Sequence, residues 1–226
     1  ARAGKIPFAS SYAAFSPGRN WEQIRTTACL NNQPVKVVGS HAGISVGPDG
    51  ATHQMLEDIA LMRVLPNMVV VAPGDSIEAE KATRAIATND KPSYLRLARE
   101  KTPIISHGKD VSLMGTGAMT YHMLMLARLL EGKGIEAEVV HVPTIKPLDD
   151  ATILESVART GRVVTAEEAQ MAGGFGGAVA ELLSERSPAP LLRIGMQDRF
   201  GESGAPDELM AHFGLTAETM LERVLH

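Results

Sequence analysis

Apolar runs of strand length alternate with amphipathic segments along most of the chain. Val35–Val38 is a largely apolar run and Met68–Ala72 is a continuous one, as is typical of strands buried on both faces. A helical pattern follows each run, the first near Thr52 and the second opened by Asp75 and Glu78 at the spacing of a capping box. The pattern predicts an α/β fold in which helices cover both faces of mostly parallel sheets.

The second half of the chain repeats this alternation with greater regularity. A linker, Thr102–Asp110, precedes it, so we predict two domains, residues 1–105 and 106–226. The predicted strands are Val111–Met114, Ala137–Val142, Val163–Thr165 and Leu191–Ile194, and the predicted helices are Ala118–Glu131, Asp149–Arg159, Gly174–Glu185, Ala205–Phe213 and Thr216–Leu225. In the first half, Tyr94–Leu97 is a further predicted strand, and Ile77, Ala82 and Ile86 are expected to face inward from the helix after Asp75.

Composition narrows the class of protein. The chain has 226 residues, a net charge of −4 and no basic run, which argues against a nucleic-acid partner. We see no apolar run of membrane-spanning length and no secretory leader, so neither membrane nor secretion is expected. Cys29 is the single cysteine, which excludes an internal disulfide and favours a cytoplasmic location.

The stretch Gly39–Gln54, GSHAGISVGPDGATHQ, concentrates the candidate chemistry. His41, Asp49 and His53 lie among glycines in the connection between a predicted strand and a helix, where open α/β sheets place their ligands. The same residue types also form ordinary turns, so the residues alone leave a structural role open.

Three other side chains have both a functional and a purely structural interpretation. Tyr12 and Phe15 stand three apart before a Pro–Gly turn, where their rings fit either a stacking surface for a flat heterocycle or the core. Arg99 follows a predicted strand and fits either a phosphate contact or a surface ion pair.

The loop string, followed by Leu56-Glu57-Asp58, resembles the pyrimidine-binding domain of transketolases. The resemblance covers most of residues 4–105, and the second half resembles the carboxyl-terminal domain of the same family, whose role there is mainly dimer contact and scaffolding. Together they resemble the separate small subunit of split prokaryotic transketolases. In that family a two-carbon ketol unit passes from a ketose phosphate to an aldose phosphate through thiamine diphosphate.

The resemblance implies a role for each candidate residue. His41 and His53 are expected to act in catalysis on the donor hydroxyls and carbonyl oxygen. Asp49 and Arg99 are expected to bind substrate, Arg99 at the sugar phosphate, and Tyr12 and Phe15 to bind the thiamine pyrimidine. A divalent metal, Mg or Ca, would sit with the diphosphate on a domain outside this sequence, so we predict no metal ligand here.

Two family motifs are absent from this sequence, namely the acidic motif written AEQN and the diphosphate motif GDG-x-N. We therefore expect the first domain to lack its amino-terminal part and the chain to need a diphosphate-binding partner, in a homodimer or heterotetramer. Deoxyxylulose-phosphate synthase, the pyruvate dehydrogenase β subunit and a non-catalytic scaffolding subunit remain alternatives.

Overall fold

The computed structural model describes residues 1–98 and 108–226, and its first sheet has five strands in the order β1-β2-β4-β3-β7. The first three pairings are parallel, and β7 runs antiparallel to β3. The strands are β1 (Phe8–Tyr12), β2 (Lys36–Ser40), β3 (Val69–Val71), β4 (Ser93–Arg96) and β7 (Thr144–Lys146).

Helices cover both faces of this first sheet. On one face pack the short helix α1 (Trp21–Gln23), its π-helical continuation Ile24–Cys29 and the helix α2 (Asp58–Arg63). On the other face packs α3 (Ser76–Thr88), through Ile86.

The second sheet has four parallel strands in the order β6-β5-β8-β9. They are β5 (Val111–Gly115), β6 (Ala137–His141), β8 (Val163–Gln170) and β9 (Leu191–Met196). The helices α4 (Met119–Glu131), α7 (Pro206–His212) and α8 (Ala217–Leu225) cover one face, and α5 (Asp150–Thr160) and α6 (Phe175–Arg186) cover the other. The predicted fold class, mostly parallel α/β sheets with helices around them, is confirmed.

The two halves share one apolar core. Ile59 and Met62 of the first half lie in the same buried cluster as Met114, Phe175 and Val179 of the second. The pairing of β7 with β3 also adds a strand from beyond the predicted boundary to the first sheet. The boundary at residue 105 stays a prediction, but the halves are not independently packed bodies.

Some local predictions were wrong. The helix expected near Thr52 is only a 3₁₀ turn, Gly50–Thr52, and α2 starts later, at Asp58. The chain between them is extended because Met55 pairs with Ala42 in a parallel bridge and its carbonyl accepts from the N–H of Gly43. Ile77 was expected to face inward, yet it is 65% exposed. It is nine residues from Ile86, and at about 100° per residue these two positions lie on opposite sides of a helix.

Other helix predictions were closer. Asp75 caps α3 as predicted, accepting a 2.7 Å hydrogen bond from the N–H of Glu78. Most of the linker Thr102–Asp110 lies outside the described residues. Among the described residues, we find no helix with the length and apolar character that crossing a bilayer requires.

Candidate active site

The site lies where β1 and β2 end side by side. Their parallel register pairs Tyr12 with Ser40, so His41, the next residue, comes beside the Tyr12 ring. The two ring centroids are 4.3 Å apart and the planes are inclined by 22°. His41 has a φ of +53°, a left-handed conformation that is uncommon for a residue with a Cβ and that surrounding contacts must hold in place.

Phe15 and His53 complete an aromatic group around Tyr12. The Phe15 ring is parallel to the Tyr12 ring within 4°, at 6.4 Å between centroids. The His53 ring stands edge-on to both, 5.3 Å from Phe15 and 6.5 Å from Tyr12. Four of the six predicted site residues therefore converge, although 40 positions separate them in sequence.

Two hydrogen bonds orient the histidines. His41 Nδ1 lies 3.2 Å from the Ser40 hydroxyl, and His53 Nδ1 lies 2.9 Å from the Thr52 hydroxyl. Among the described residues neither Nε2 has a hydrogen-bond partner, so this is the ring nitrogen that a ligand could reach for general acid–base or hydrogen-bond catalysis.

Asp49 lies on the exposed outer part of the same loop, just before the 3₁₀ turn. In the described parts of the chain we find no hydrogen-bond or ion-pair partner for its carboxylate. A substrate hydroxyl could therefore approach it, and among the described residues no hydrogen bond or ion pair joins the Asp49 carboxylate to either histidine. Arg99, the sixth predicted residue, lies outside the described residues.

One site residue was missed in the sequence. The guanidinium carbon of Arg19 lies 4.8 Å from the Phe15 ring centroid, over the ring face. This cation–π contact places a positive charge at the edge of the aromatic group. The Pro17-Gly18 turn before Arg19, which folds the chain back toward Phe15, was the signal available.

Residues of the second half of the chain pack against the Gly39–Gln54 loop. The Gln54 side-chain amide donates a 2.8 Å hydrogen bond to the carbonyl of Glu202 and weaker ones to the carbonyls of Ile44 and Gly47. A Cβ on Gly50 would lie 2.2 Å from the Ser203 hydroxyl. The loop therefore takes its shape partly from residues that sequence reasoning assigned to a separate scaffold.

A buried ionic network lies under the loop and joins the halves. Arg96 Nε donates to Asp58 Oδ2 at 2.9 Å, and the Tyr94 hydroxyl donates to the same oxygen at 2.7 Å. Arg96 Nη2 reaches the main-chain carbonyl of Glu168 in β8, also at 2.9 Å. Burial, reinforced by the Asp58 charge, holds the pKa of Tyr94 well above its usual value, so the hydroxyl stays protonated and can donate to Asp58.

Two consecutive glutamates of β8, both buried, were not anticipated. Glu167 accepts hydrogen bonds from the N–H groups of Phe175 and Gly176, at 2.7 and 2.8 Å, and so caps the amino terminus of α6. Burial raises its pKa to about 7. A Cβ on Gly174 would lie 2.0 Å from the Glu167 carboxylate, which explains a glycine there.

Glu168 points to the loop instead. Its Oε1 accepts a short hydrogen bond from the N–H of Ser45, and burial raises its pKa. A Cβ on Gly43 would lie 2.5 Å from the Glu168 carboxyl carbon, and Gly43 has a φ of +91°. The signal for both glutamates was their position just beyond the predicted strand Val163–Thr165 and Ala166, where the buried strand continues through them.

Sequence comparisons place this chain in a known family. Residues 1–104 match the family model of the transketolase pyrimidine-binding domain, and residues 100–220 match that of the transketolase C-terminal domain. A transketolase C-terminal section of Methanocaldococcus jannaschii is 42% identical over an alignment 243 positions long, gaps included, which covers 100% of this chain and 76% of that protein. A 6-deoxy-6-sulfo-D-fructose transketolase subunit of Clostridium sp. strain MSTE9 is 40% identical, covering 96% of this chain and 72% of that protein.

Solved structures agree on the fold. A protein described as a split gene transketolase, an inactive β4 tetramer, superposes with a TM-score of 0.91 at 41% identity, covering 99% of this chain and 77% of that one. A transketolase from Campylobacter jejuni is similar in fold alone, with a TM-score of 0.77 at 23% identity over 97% of this chain and 35% of that one. From its two domain matches and its relatives along the whole length, the chain belongs to the transketolase family.

Proposed function

We propose that this chain contributes the pyrimidine-side half of a thiamine-diphosphate site that transfers a two-carbon ketol unit from a ketose phosphate to an aldose phosphate. The observation that supports this best is the convergence of two histidines on two parallel aromatic rings at the carboxyl ends of β1 and β2. Such a combination offers a stacking surface and proton-handling groups side by side.

The aromatic group fits the flat heterocycle of the cofactor. Tyr12 is 37% exposed, so part of its ring is open to a ligand, and Phe15 is half-buried beside it. Stacking on such rings adds about 0.5–1.5 kcal/mol beyond the area that is buried. When bound, thiamine diphosphate would supply the nucleophilic carbon and the electron sink that ketol transfer needs.

The histidines would handle the protons and the developing charge on the substrate. Nε2 of His41 and of His53 would hydrogen-bond the donor's carbonyl and hydroxyl oxygens, where charge changes during carbon–carbon bond cleavage. Asp49 would accept a hydrogen bond from the neighbouring hydroxyl and select donor stereochemistry. Arg99 would grip the sugar phosphate through paired hydrogen bonds.

A partner subunit or domain would hold the diphosphate and the divalent metal, Mg or Ca. Within residues 1–98 and 108–226, no group of three or more potential metal ligands is present. The similar structure described as an inactive β4 tetramer supports the expectation that such a chain alone is not an active enzyme. Assembly as a homodimer or a heterotetramer with the partner stays a prediction.

A second function is favoured by one specific observation. A 1-deoxy-D-xylulose-5-phosphate synthase of Trichormus variabilis is 38% identical and covers 98% of this chain, though only 38% of that enzyme. The same site geometry would serve pyruvate as donor in place of a ketose phosphate. A pyruvate dehydrogenase β-like subunit and a purely scaffolding subunit are the remaining alternatives.

The test is reconstitution of the full chain with a diphosphate-binding transketolase subunit, thiamine diphosphate and Mg²⁺. Ketol transfer from a ketose phosphate, abolished by His41→Ala and retained by the exposed-histidine control His212→Ala, would support the proposal. Turnover with pyruvate and glyceraldehyde phosphate alone would favour the synthase. Equal activity of the partner subunit with and without this chain would reject a catalytic role.

A further inference from the structure

We propose that Glu168, a residue of the second half, is a positioning residue for ketol transfer, because it holds the loop that carries His41, Asp49 and His53 in its reactive shape. This inference rests on the proposed function. It also assigns to the second half a part in the reaction beyond scaffolding.

The contact is direct and buried. Glu168 is 2% exposed and its Oε1 accepts the main-chain N–H of Ser45, which is itself 5% exposed. The same carboxyl group occupies the space that a side chain on Gly43 would need. The loop backbone and the Glu168 carboxyl group are thus fitted to each other, and a shorter side chain could not reach.

The position of Glu168 is itself fixed from the first half. Arg96 Nη2 donates to its main-chain carbonyl, and Arg96 is held in turn by Asp58. This hydrogen bond fixes β8 relative to β4. β4 pairs with β2, and β2 leads into His41. Glu168 and the start of the loop are thus also linked through β8, β4 and β2. We therefore expect loss of the Ser45 hydrogen bond to free the loop and to leave these strands in place.

The loop needs such a restraint because its backbone is strained. His41 at φ +53° lies four residues before Ser45, with Gly43 at φ +91° between them. A non-glycine residue in the left-handed region is conformationally disfavoured and persists only where the surroundings impose it. Without the Ser45 bond, we expect the loop to relax and His41 to leave its place against Tyr12.

The neighbouring glutamate provides a matched control. Successive residues of a strand point to opposite faces, and Glu167 accordingly caps α6 and makes no described contact with the loop. Both glutamates are buried in the same strand and both have a raised pKa. A substitution at Glu167 therefore reproduces the general damage to β8 without touching Ser45.

Two variants separate the reach of the side chain from its charge. Glu168→Asp keeps the carboxyl group but withdraws it by one methylene, so it breaks the Ser45 bond. Glu168→Gln keeps an oxygen acceptor in place, and because Oε2 accepts no hydrogen bond from a described residue, it breaks no second bond. Glu167→Asp and Glu167→Gln are the matched controls.

The first measurement is hydrogen exchange of individual amides by NMR on the full chain. A hydrogen bond to a charged group contributes about 1.5–3 kcal/mol, so we expect the Ser45 amide to exchange about 10- to 100-fold faster in Glu168→Asp. In Glu168→Gln the amide oxygen is a neutral acceptor of about half that strength, so the Ser45 amide should exchange about 3- to 10-fold faster than in the wild type and more slowly than in Glu168→Asp. The Glu167 variants should accelerate exchange only at Phe175 and Gly176.

The second measurement is ketol-transfer kinetics in the reconstituted complex. Glu168→Asp should lower kcat about 10-fold or more with little change in the KM of the donor, and Glu168→Gln should restore most of the rate. Unchanged Ser45 exchange in Glu168→Asp, failure of Glu168→Gln to restore the rate, or an equal kcat loss in the Glu167 variants would each overturn the inference. If the wild-type complex transfers no ketol unit, the proposed function fails, while exchange at Ser45 still decides whether Glu168 holds the loop.

Discussion

Removing Arg96 tests how strongly the buried ionic network holds the two halves together. Arg96 is 3% exposed and Asp58 is 0% exposed, at 2.9 Å between Nε and Oδ2. In Arg96→Met the Asp58 carboxylate keeps only the Tyr94 hydroxyl as a donor, because its Oδ1 has no hydrogen bond to a described residue. An unpaired buried charge costs about 3–5 kcal/mol, and the bond to the Glu168 carbonyl, about 1 kcal/mol more, is lost as well.

The assay is urea unfolding of the full chain followed by circular dichroism. We expect the free energy of unfolding to fall by about 4–6 kcal/mol in Arg96→Met, a large part of the 5–15 kcal/mol typical of a protein. The double variant Arg96→Met/Asp58→Asn should recover about 2 kcal/mol or more, because it neutralises the stranded charge while its amide oxygen still accepts from Tyr94.

An exposed ion pair provides the control. Arg84 and Glu80 are 78% and 66% exposed, so Arg84→Met should cost under about 0.5 kcal/mol. The reasoning would be refuted if Arg96→Met cost less than about 1 kcal/mol, or if the double variant were no more stable than the single one.

Three further predictions concern other residues. Asp49→Ala should lower kcat/KM for ketose donors by about 2–4 kcal/mol in the reconstituted enzyme without lowering Tm, whereas lost stability with an intact donor stereochemical preference would make Asp49 structural. Arg99→Ala should raise KM by the equivalent of about 1.5–3 kcal/mol for sugar phosphates and well under 1 kcal/mol for hydroxypyruvate, and equal losses would remove the phosphate role. The pKa of Glu167 is about 7 in the folded chain and 4.5 ordinarily, so folding favours the protonated carboxyl group. The contribution of Glu167 to the free energy of unfolding is therefore complete below pH 4.5 and is lost as pH rises through 7. Urea unfolding should therefore show the wild type losing about 3 kcal/mol relative to Glu167→Gln between pH 4 and pH 8, and parallel pH profiles would contradict the assignment.

The buried strands were predictable because burial on both faces leaves a simple signature. The strand Val69–Val71 lies within the predicted run Met68–Ala72, and Val111–Gly115 extends the predicted strand Val111–Met114 by one residue. Central parallel strands need apolar side chains on both faces, which makes such runs easy to recognise. The two missed strands lie at sheet edges. Phe8–Tyr12 mixes apolar and polar residues because one side is open, and Thr144–Lys146 is three residues long and pairs across the halves, which no local pattern reports.

The residues of the candidate site could be predicted from the sequence, but the buried residues that hold its loop in place could not. The resemblance brought Tyr12 and the two histidines together, and the structure places them in contact. Glu168 was missed because a charged residue ordinarily ends an apolar run, and β8 was expected to stop at Thr165. Only the tertiary fold, in which Ser45 and Arg96 meet β8, makes a buried glutamate acceptable there.

The central claim is that this chain holds one half of a thiamine-diphosphate site and that a partner completes it. The most direct measurement is calorimetric titration of thiamine diphosphate with Mg²⁺ into the chain alone, and into its complex with a diphosphate-binding transketolase subunit. We expect no micromolar binding by the chain alone, micromolar binding by the complex, and about tenfold weaker binding after Phe15→Ala but not after the control Tyr121→Ala on α4. Micromolar binding by the chain alone, or a complex whose affinity does not change in Phe15→Ala, would contradict the account.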